Sequence, residues 1–537
     1  MKATIPLPTK VGSPLVASLM PTSSVEFTKE FGLAFHLAED TRQNLFITGR
    51  AGTGKSTFLS YFRETTKKQL AVLAPTGVAA VNVRGQTIHS FFGFRPDITP
   101  EAVRDIRPKR KRLYRELDAI VIDEISMVRA DLLDCVDAFL RRFGPRADEP
   151  FGGIQMILIG DLYQLPPVVT SRERRILREL YPGPYFFNSK AFNSALFRFV
   201  EFAKVYRQTD DRFIKILNAI RNNTITEREL AILNERVNPD FEPPEGDFFV
   251  HLTTTNRMAE RVNLERLRRL KGRGVTYFGL IEGDFPEADL PTALELKLKV
   301  GAQVMLLNND SRGRWINGDI GRIIEIKRHR DSPDAIVVEL SSGEVVKVEP
   351  FTWERYEFSY DPEQRRVVTE VTGIFTQYPL RLAWAITIHK SQGLTFDRVI
   401  IDIGRGTFSH GQLYVALSRC RSLEGLILKR PISKRHVLLD RRIVRFLTQF
   451  QYRLAEERLP FEQKMSLLRE AIERKREVEI VYLKSSDVKT RRRVLPLQLG
   501  EMQYEGRSFV GLRAFCLLRN EERNFNVAKI LDVEVKD

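Results

Sequence analysis

Two rhythms of apolar residues divide this chain. In its N-terminal part short unbroken apolar runs recur: Leu45-Phe46-Ile47, then residues 70–74, 119–122 and 156–159. Each is followed at once or within two residues by glycine, proline or an acid. Such runs predict strands buried on both faces. Between them the apolar spacing turns helical. Phe27, Phe31, Phe35 and Leu37 mark a helix within 25–39, and Phe58, Leu59 and Phe62 mark one after the first strand. Phe213, Ile214, Leu217 and Ile220 mark another within 202–223. Alternating buried strands and amphipathic helices predict an α/β layer fold. The same texture returns at 251–263, at 379–402 and in a helix over 412–421. In between, the rhythm changes. Residues 300–324 carry two β-like runs joined by a turn containing Gly313. From 325 to about 378, AIVVEL, EVVKVEPF and RVVTEVTGIFTQ alternate between turns at SSG and DPEQ. That pattern predicts a small all-β insertion, a barrel. After Leu459-Pro460 a helix is expected over 464–475, with Leu467, Leu468, Ala471 and Ile472 on one face. A basic, β-rich stretch follows over 477–536, with residues 489–493 at a turn. Residues 460–537 read as a separate domain.

The strand ends carry the candidate chemistry. Gly49-Arg50-Ala51-Gly52-Thr53-Gly54-Lys55-Ser56 fits G-x-x-x-x-G-K-[ST] between a strand and a helix. Its glycines let backbone N–H groups converge on an anion, and the helix N-terminus adds partial positive charge. Lys55 then reaches the β- and γ-phosphates and Ser56 ligates Mg²⁺. With Thr57, residues 49 and 51–56 form the expected nucleotide cradle. The run DAIVIDEISMV delivers Asp123 and Glu124 at a strand's C-terminal end, where open α/β sheets place ligands. Behind a P-loop, Asp123 suits the Mg²⁺ shell and Glu124 suits the polarising of an attacking water. Gln164 follows the next strand, ahead of the rigid Pro166-Pro167, and can sense a γ-phosphate. Arg207 is either a structural ion-pair residue or a charge brought to the phosphates from a second domain. His89 is either a packed polar residue or, beside Thr87, Ser90 and two phenylalanines, part of a nucleic-acid groove. The basic run at 104–115 is either a solvated helix face or a phosphate-contacting subdomain.

Composition narrows the partners. A length of 537 residues suggests several domains at roughly 150 residues each. A net charge of +16 favours a polyanionic partner. Cys135, Cys420 and Cys516 lie far apart with no CxxC, which argues against a zinc or iron–sulfur site and suits a reducing, cytoplasmic setting. Pro6, Pro8, Pro14, Pro21 and Lys10 interrupt any apolar segment at the start, so 1–24 reads as a flexible tail and not a secretion signal. No apolar run approaches the ~18 residues of a membrane span.

Taken in order, GRAGTGKS, APTGVAA, GQTIHSFF, VIDEISM, GDLYQLPPV, VYRQTD, ITIHKSQGLTF and YVALSR are similar to the motif series of superfamily 1B helicases. The sub-family they resemble is Pif-one (petite integration frequency), related to RecD. Residues 134–155, with Arg141-Arg142 and Pro150-Phe151-Gly152-Gly153, resemble that sub-family's own signature. The resemblance covers roughly 25–431. It implies two RecA-like domains, 25–200 and 201–324 with 379–445. It adds a small basic duplex-splitting insertion at about 94–116 and a barrel insertion at 325–378. It implies ATP and Mg²⁺ between the domains, Arg207 and Arg419 as arginine fingers, Gln164 as the γ-phosphate sensor and Gly393 near the same site. Thr76, His89, Thr254, Asn256, His389 and Ser391 fall in motifs that grip single-stranded DNA. The implied activity is ATP-driven 5′→3′ translocation and unwinding of duplex and forked DNA in repair, recombination or genome maintenance. The implied agent is a monomer at the nucleoid. One departure stands out: FTKEFGLAFHLAED lacks the Gln with which the family reads adenine, so strict preference for ATP has no named residue.

The C-terminal domain resembles a WYL domain through Ile480-Val481-Tyr482, Arg493-Val494-Leu495-Pro496-Leu497, Arg519 and Arg523-Asn524-Phe525. Ser508-Phe509-Val510 stands where the naming triplet is expected. The resemblance implies contact with nucleic acid or an anionic ligand through Arg493, Arg519 and Arg523; the alternative is a basic β domain that only packs. Two rival functions use the same motor: a translocase that remodels protein–DNA complexes, and a ligand-regulated switch. HKSQG and VALSR favour the helicase.

Overall fold

The computed structural model describes residues 2–4, 27–169, 171–208, 210–244, 246–329, 332–404, 406–407, 409–484, 487–504 and 506–536. The chain forms two compact units, Met1–Asn218 with Thr226–Leu438, and Ala219–Ile225 with Leu439–Asp537. Of the expected tail, Lys2–Thr4 is a strand parallel to Val275–Phe278; residues 5–24 lie outside the described residues.

The first unit holds two parallel sheets. One is six-stranded, in the order Gln86–Thr87, Leu70–Ala74, Ala119–Ile122, Gln155–Ile159, Asn44–Gly49, Phe197–Phe202. Every residue of Ala119–Ile122 and Gln155–Ile159 is buried. Strands covered on both faces have no polar row, which is why they read as unbroken apolar runs. Helices Lys29–Asp40 and Lys55–Thr65 cover this sheet with Phe31, Ala34, Phe58 and Phe62, packed on Leu45, Ile47, Val121 and Ile157. Burial of each large side chain contributes about 1.5–3 kcal/mol. Phe58→Ala would remove about 3–5 kcal/mol and loosen the helix that begins at Lys55. The second sheet has four strands, Ala385–Thr387, Val250–Thr253, Val399–Asp402 and Leu426–Leu428.

The β-rich region is larger than its sequence boundaries. An antiparallel sheet runs Val345–Val348, Ala335–Leu340, Ile320–Lys327, Gln303–Leu306, Leu380–Leu382. One core joins Tyr277, Leu298, Trp315, Ile336, Val338 and Tyr378. The boundary expected at 325 therefore falls inside the strand Ile320–Lys327, which pairs backwards with Gln303–Leu306. The hairpin Phe351–Asp361 and Arg366–Gln377 forms a separate sheet with Leu280–Gly283 and reaches the first domain. Arg355 donates to Ser90 Oγ at 3.1 Å, and Phe358 N donates to Gln86 Oε1 at 3.2 Å. In the basic run, Arg110 pairs with Glu357 at 2.8 Å and Glu370 at 3.0 Å, and Arg112 lies 4.7 Å over Tyr360. Part of that run thus docks on protein rather than facing solvent.

The second unit is an antiparallel sheet in the order Glu521–Asn526, Arg507–Cys516, Lys489–Tyr504, Val478–Leu483, Ile530–Val535. Helix Phe461–Glu473 lays Met465, Leu468 and Ala471 on Val478, Ile480, Val494 and Leu512. Helix Arg441–Arg458, ahead of residues 460–537, also belongs to this unit. The stretch expected as a turn, 489–493, is instead the start of the strand Lys489–Tyr504. Alternation of side chains buries Arg492 and exposes Arg491 and Arg493. Among the described residues no helix is long and apolar enough to cross a membrane.

Candidate nucleotide site and nucleic-acid interface

The P-loop joins Asn44–Gly49 to Lys55–Thr65. Gly52 and Gly54 adopt φ of +77° and +87°, a region L side chains avoid. A Cβ on Gly52 would also lie 2.3 Å from Arg207 Cβ, so the loop and the segment bearing Arg207 touch. Thr53 Oγ1 donates to Arg50 O at 2.9 Å, tightening the turn. Lys55 Nζ donates to Gly49 O at 2.7 Å and Arg50 O at 3.0 Å. Burial pushes the Lys55 pKa down, opposed by the charges of Asp161, Glu124 and Asp123. Ala51 N donates to Tyr414 Oη at 3.1 Å, a contact from the helix Gln412–Leu417. Ser56 and Thr57 are exposed in the first turn of their helix.

Asp123 and Glu124 follow Ala119–Ile122 directly. Glu124 has φ +50°, a strained setting for a residue with a Cβ. Burial, then the charge of Asp123, pushes the Glu124 carboxyl up to about 7. Burial likewise raises Asp123, with Lys55 pulling it back. Gln164 Nε2 lies 3.4 Å from Asp161 Oδ2. From the second domain, Gln392 Nε2 donates to Glu124 Oε2 at 2.9 Å and to Gln164 Oε1 at 3.2 Å. Arg207 Nη2 donates to Gly393 O at 2.9 Å, while its Nη1 is buried without a partner. Arg419 is 1% exposed. It donates to Val415 O at 2.9 Å, Ser391 O at 3.3 Å, Leu394 O at 3.2 Å and Ser418 Oγ at 2.9 Å. Burial, then the Arg207 charge, lowers its pKa to about 9, so it stays charged at neutral pH.

The buried, unpartnered Nη1 of Arg207 is costly, and an anionic acceptor in the cleft would remove that cost. The residues also fit Mg²⁺. The Ser56 hydroxyl and the Asp123 carboxylate are hard oxygen donors, of the kind that hold this ion together with phosphate oxygens.

The expected DNA-gripping residues lie in different settings. Thr76 is exposed and caps Gly77–Asn82, accepting from Ala79 N at 3.3 Å. Asn256 is exposed at the start of Asn256–Arg269. Thr254 is half-buried, with Oγ1 3.8 Å from Met258 Sδ. His89 and His389 are half-buried, and burial pushes both pKa values down, which favours neutral imidazoles. Ser391 departs from expectation. It is fully buried and its hydroxyl donates to Ile388 O at 2.8 Å, so the side chain serves the turn and not a phosphate. Gly393 is exposed with φ +82°.

The C-terminal arginines are also not gathered. Arg493 pairs across from Glu479 on the outer face, with Glu477 at 4.0 Å. Arg523 stands opposite the buried Ala514, on the other face, with Glu521 at 3.6 Å. Arg519 lies in the turn between those strands. Strand alternation separates side chains that the sequence places near one another. Gln392 and Tyr414 were missed by sequence reasoning. Both stand inside motifs that signalled the site, HKSQG and YVALSR, but their neighbours drew the assignments.

A P-loop, an acid pair at the end of another strand of the same parallel sheet, and Arg207 and Arg419 meeting at the turn 391–394 define a RecA-like motor NTPase. The PIF1-like helicase family model matches residues 33–230, the UvrD-like helicase C-terminal domain 382–427, and the WYL domain 463–535. The ATP-dependent DNA helicase Pif1 of Bdellovibrio bacteriovorus is 33% identical over 452 residues, 82% of this chain and 96% of that protein. The ATP-dependent DNA helicase PIF1 of Danio rerio is 35% identical over 437 residues, and the chain spans 63% of its length. The crystal structure of Bacteroides sp Pif1 in complex with ADP-AlF4 is 40% identical, with a TM-score of 0.72 over 80% of this chain and 97% of that one. The chain belongs to the PIF1-like helicase family.

Proposed function

We infer that the protein is an ATP-dependent DNA helicase that moves 5′→3′ on single-stranded DNA and unwinds duplex and forked DNA in genome maintenance. The observation that carries this reading is the junction of the P-loop domain with residues 391–394, where Gln392 and Gly393 meet Glu124, Gln164 and Arg207. The names of the relatives support it, as do Bacteroides Pif1 structures with single-stranded DNA and at forked duplex DNA.

In this reading the N–H groups of residues 49 and 51–57 cradle the ATP phosphates, and Lys55, Arg207 and Arg419 neutralise charge that develops in the transition state. Glu124 takes a proton from the attacking water. Ser56 and Asp123 would hold Mg²⁺, which would supply neutralisation of phosphate charge. Loss of the γ-phosphate removes what Gln164, Arg207 and Arg419 contact, and the cleft reopens. Thr76 and His89 on one domain, and Thr254, Asn256 and His389 on the other, then hold the strand in alternation. A base pair costs roughly 1.4 kcal/mol to open, within reach of one ATP per step.

The test is strand displacement on 5′-tailed, 3′-tailed and forked substrates. The expected result is unwinding from 5′ tails, abolished by Lys55→Ala with DNA binding retained. Unwinding from 3′ tails alone overturns the polarity, and ATP turnover with protein stripping but no strand displacement favours the remodeller. The protein acts as a monomer in the cytoplasm, at the nucleoid; turnover per molecule should not change with protein concentration. The helix Lys29–Asp40 ahead of the P-loop carries no glutamine to read adenine, so GTP should support unwinding to a measurable extent.

A further inference from the structure

We propose that Gln392 is the positioning residue that holds Glu124 in its working place and couples it to the DNA-facing turn of the second domain. The proposal rests on the reading of Glu124 as the base that activates water. A glutamine amide carries two N–H groups, and here one reaches Glu124 Oε2 at 2.9 Å and the other Gln164 Oε1 at 3.2 Å. Both partners belong to the first domain, and Glu124 sits at φ +50°, where the backbone alone does not hold a side chain cheaply. The Gln392 amide thus orients the carboxylate and the γ-phosphate sensor together.

The turn that carries Gln392 also touches both arginines of the cleft. Ser391 O and Leu394 O accept from Arg419, and Gly393 O accepts from Arg207. Gln392 N donates to His389 O at 3.2 Å. A shift of His389 on a DNA strand is therefore passed by one backbone hydrogen bond to the residue that holds Glu124. Neither a long path nor a separate element is needed.

The experiment is steady-state ATP hydrolysis by the full chain, with and without single-stranded oligonucleotide, for wild type, Gln392→Ala, Gln392→Glu and Glu124→Gln. Losing one hydrogen bond to a charged group should lower DNA-stimulated kcat about 10- to 100-fold. The ATP KM and the oligonucleotide Kd should stay within about threefold, since Gln392 touches neither ligand's charge. Gln392→Glu removes the donor and sets a like charge beside Glu124, so it should lose at least as much kcat as Gln392→Ala, and it serves alone if that variant does not fold. An unchanged kcat overturns the proposal. So does a joint loss of kcat, KM, Kd and thermal stability, which is the signature of a merely structural bridge. Wild-type turnover by Glu124→Gln overturns the reading of Glu124 instead, whereas an inactive Glu124→Gln beside a normal Gln392→Ala overturns only the proposal.

Discussion

The nucleotide cleft and the C-terminal sheet are both rich in arginine, and they treat it in opposite ways. In the cleft, Arg207 and Arg419 donate to backbone carbonyls at Gly393, Ser391, Leu394 and Val415. On the sheet, Arg491, Arg493, Arg513 and Arg523 each stand beside a glutamate, at 3.1, 4.0, 3.9 and 3.6 Å. A guanidinium satisfied by neutral dipoles keeps its whole charge for an arriving anion. An exposed arginine next to a carboxylate contributes about 0–1 kcal/mol as a pair and projects little net field. Net charge therefore favours an anionic partner without placing it, whereas the burial of two arginines among neutral partners singles out the cleft.

The strongest way to break this contrast is to remove a cleft arginine. Arg207→Ala should reduce kcat for ATP hydrolysis by roughly 10³–10⁵, as for other arginine fingers, measured in steady-state turnover with saturating oligonucleotide. A loss under tenfold would mean that its buried N–H does not face the phosphates. Gly52→Ala is next. It places a side chain in the left-handed region, at a cost of about 1–2 kcal/mol, and drives its Cβ into Arg207. The expected outcome is a rise of about tenfold in ATP KM together with a lowered melting temperature; a normal KM would separate the loop from Arg207. The smallest effect is expected on the sheet. Arg491→Ala with Arg493→Ala should change the slope of log Kd for single-stranded DNA against log salt by less than about 0.7, because glutamates already match both charges. A slope reduced by about 1.4 would place both residues on phosphates and bring the sheet into line with the cleft.

The α/β part was readable because its strands are buried on both faces, and a short continuous apolar run such as Ala119–Ile122, closed by acids, fits little except a central strand. The positions of Lys55, Asp123, Glu124 and Gln164 were readable for a related reason: a strand end and the residues just after it are adjacent in sequence. The β-rich parts were less so. Nothing local says that Ile320–Lys327 pairs with Gln303–Leu306, that the hairpin of residues 351–377 lies on Ser90 and Gln86, or that the helix Arg441–Arg458 packs with the C-terminal strands. Ser391 looked polar and available in HKSQG, but packing turned it inward.

What the sequence by itself determined is the set of groups that carry the chemistry, and the local frames that hold them. The glycines at 52 and 54, the cap at Thr76 and the acids behind a buried strand depend on neighbours within a few residues. Only the tertiary structure decided which groups meet. Glu124 and Gln392 are 268 residues apart, and Ala51 and Tyr414 are 363 apart. Such bonds depend on how two sheets and their crossovers place strand ends in space, and no window of sequence contains that placement.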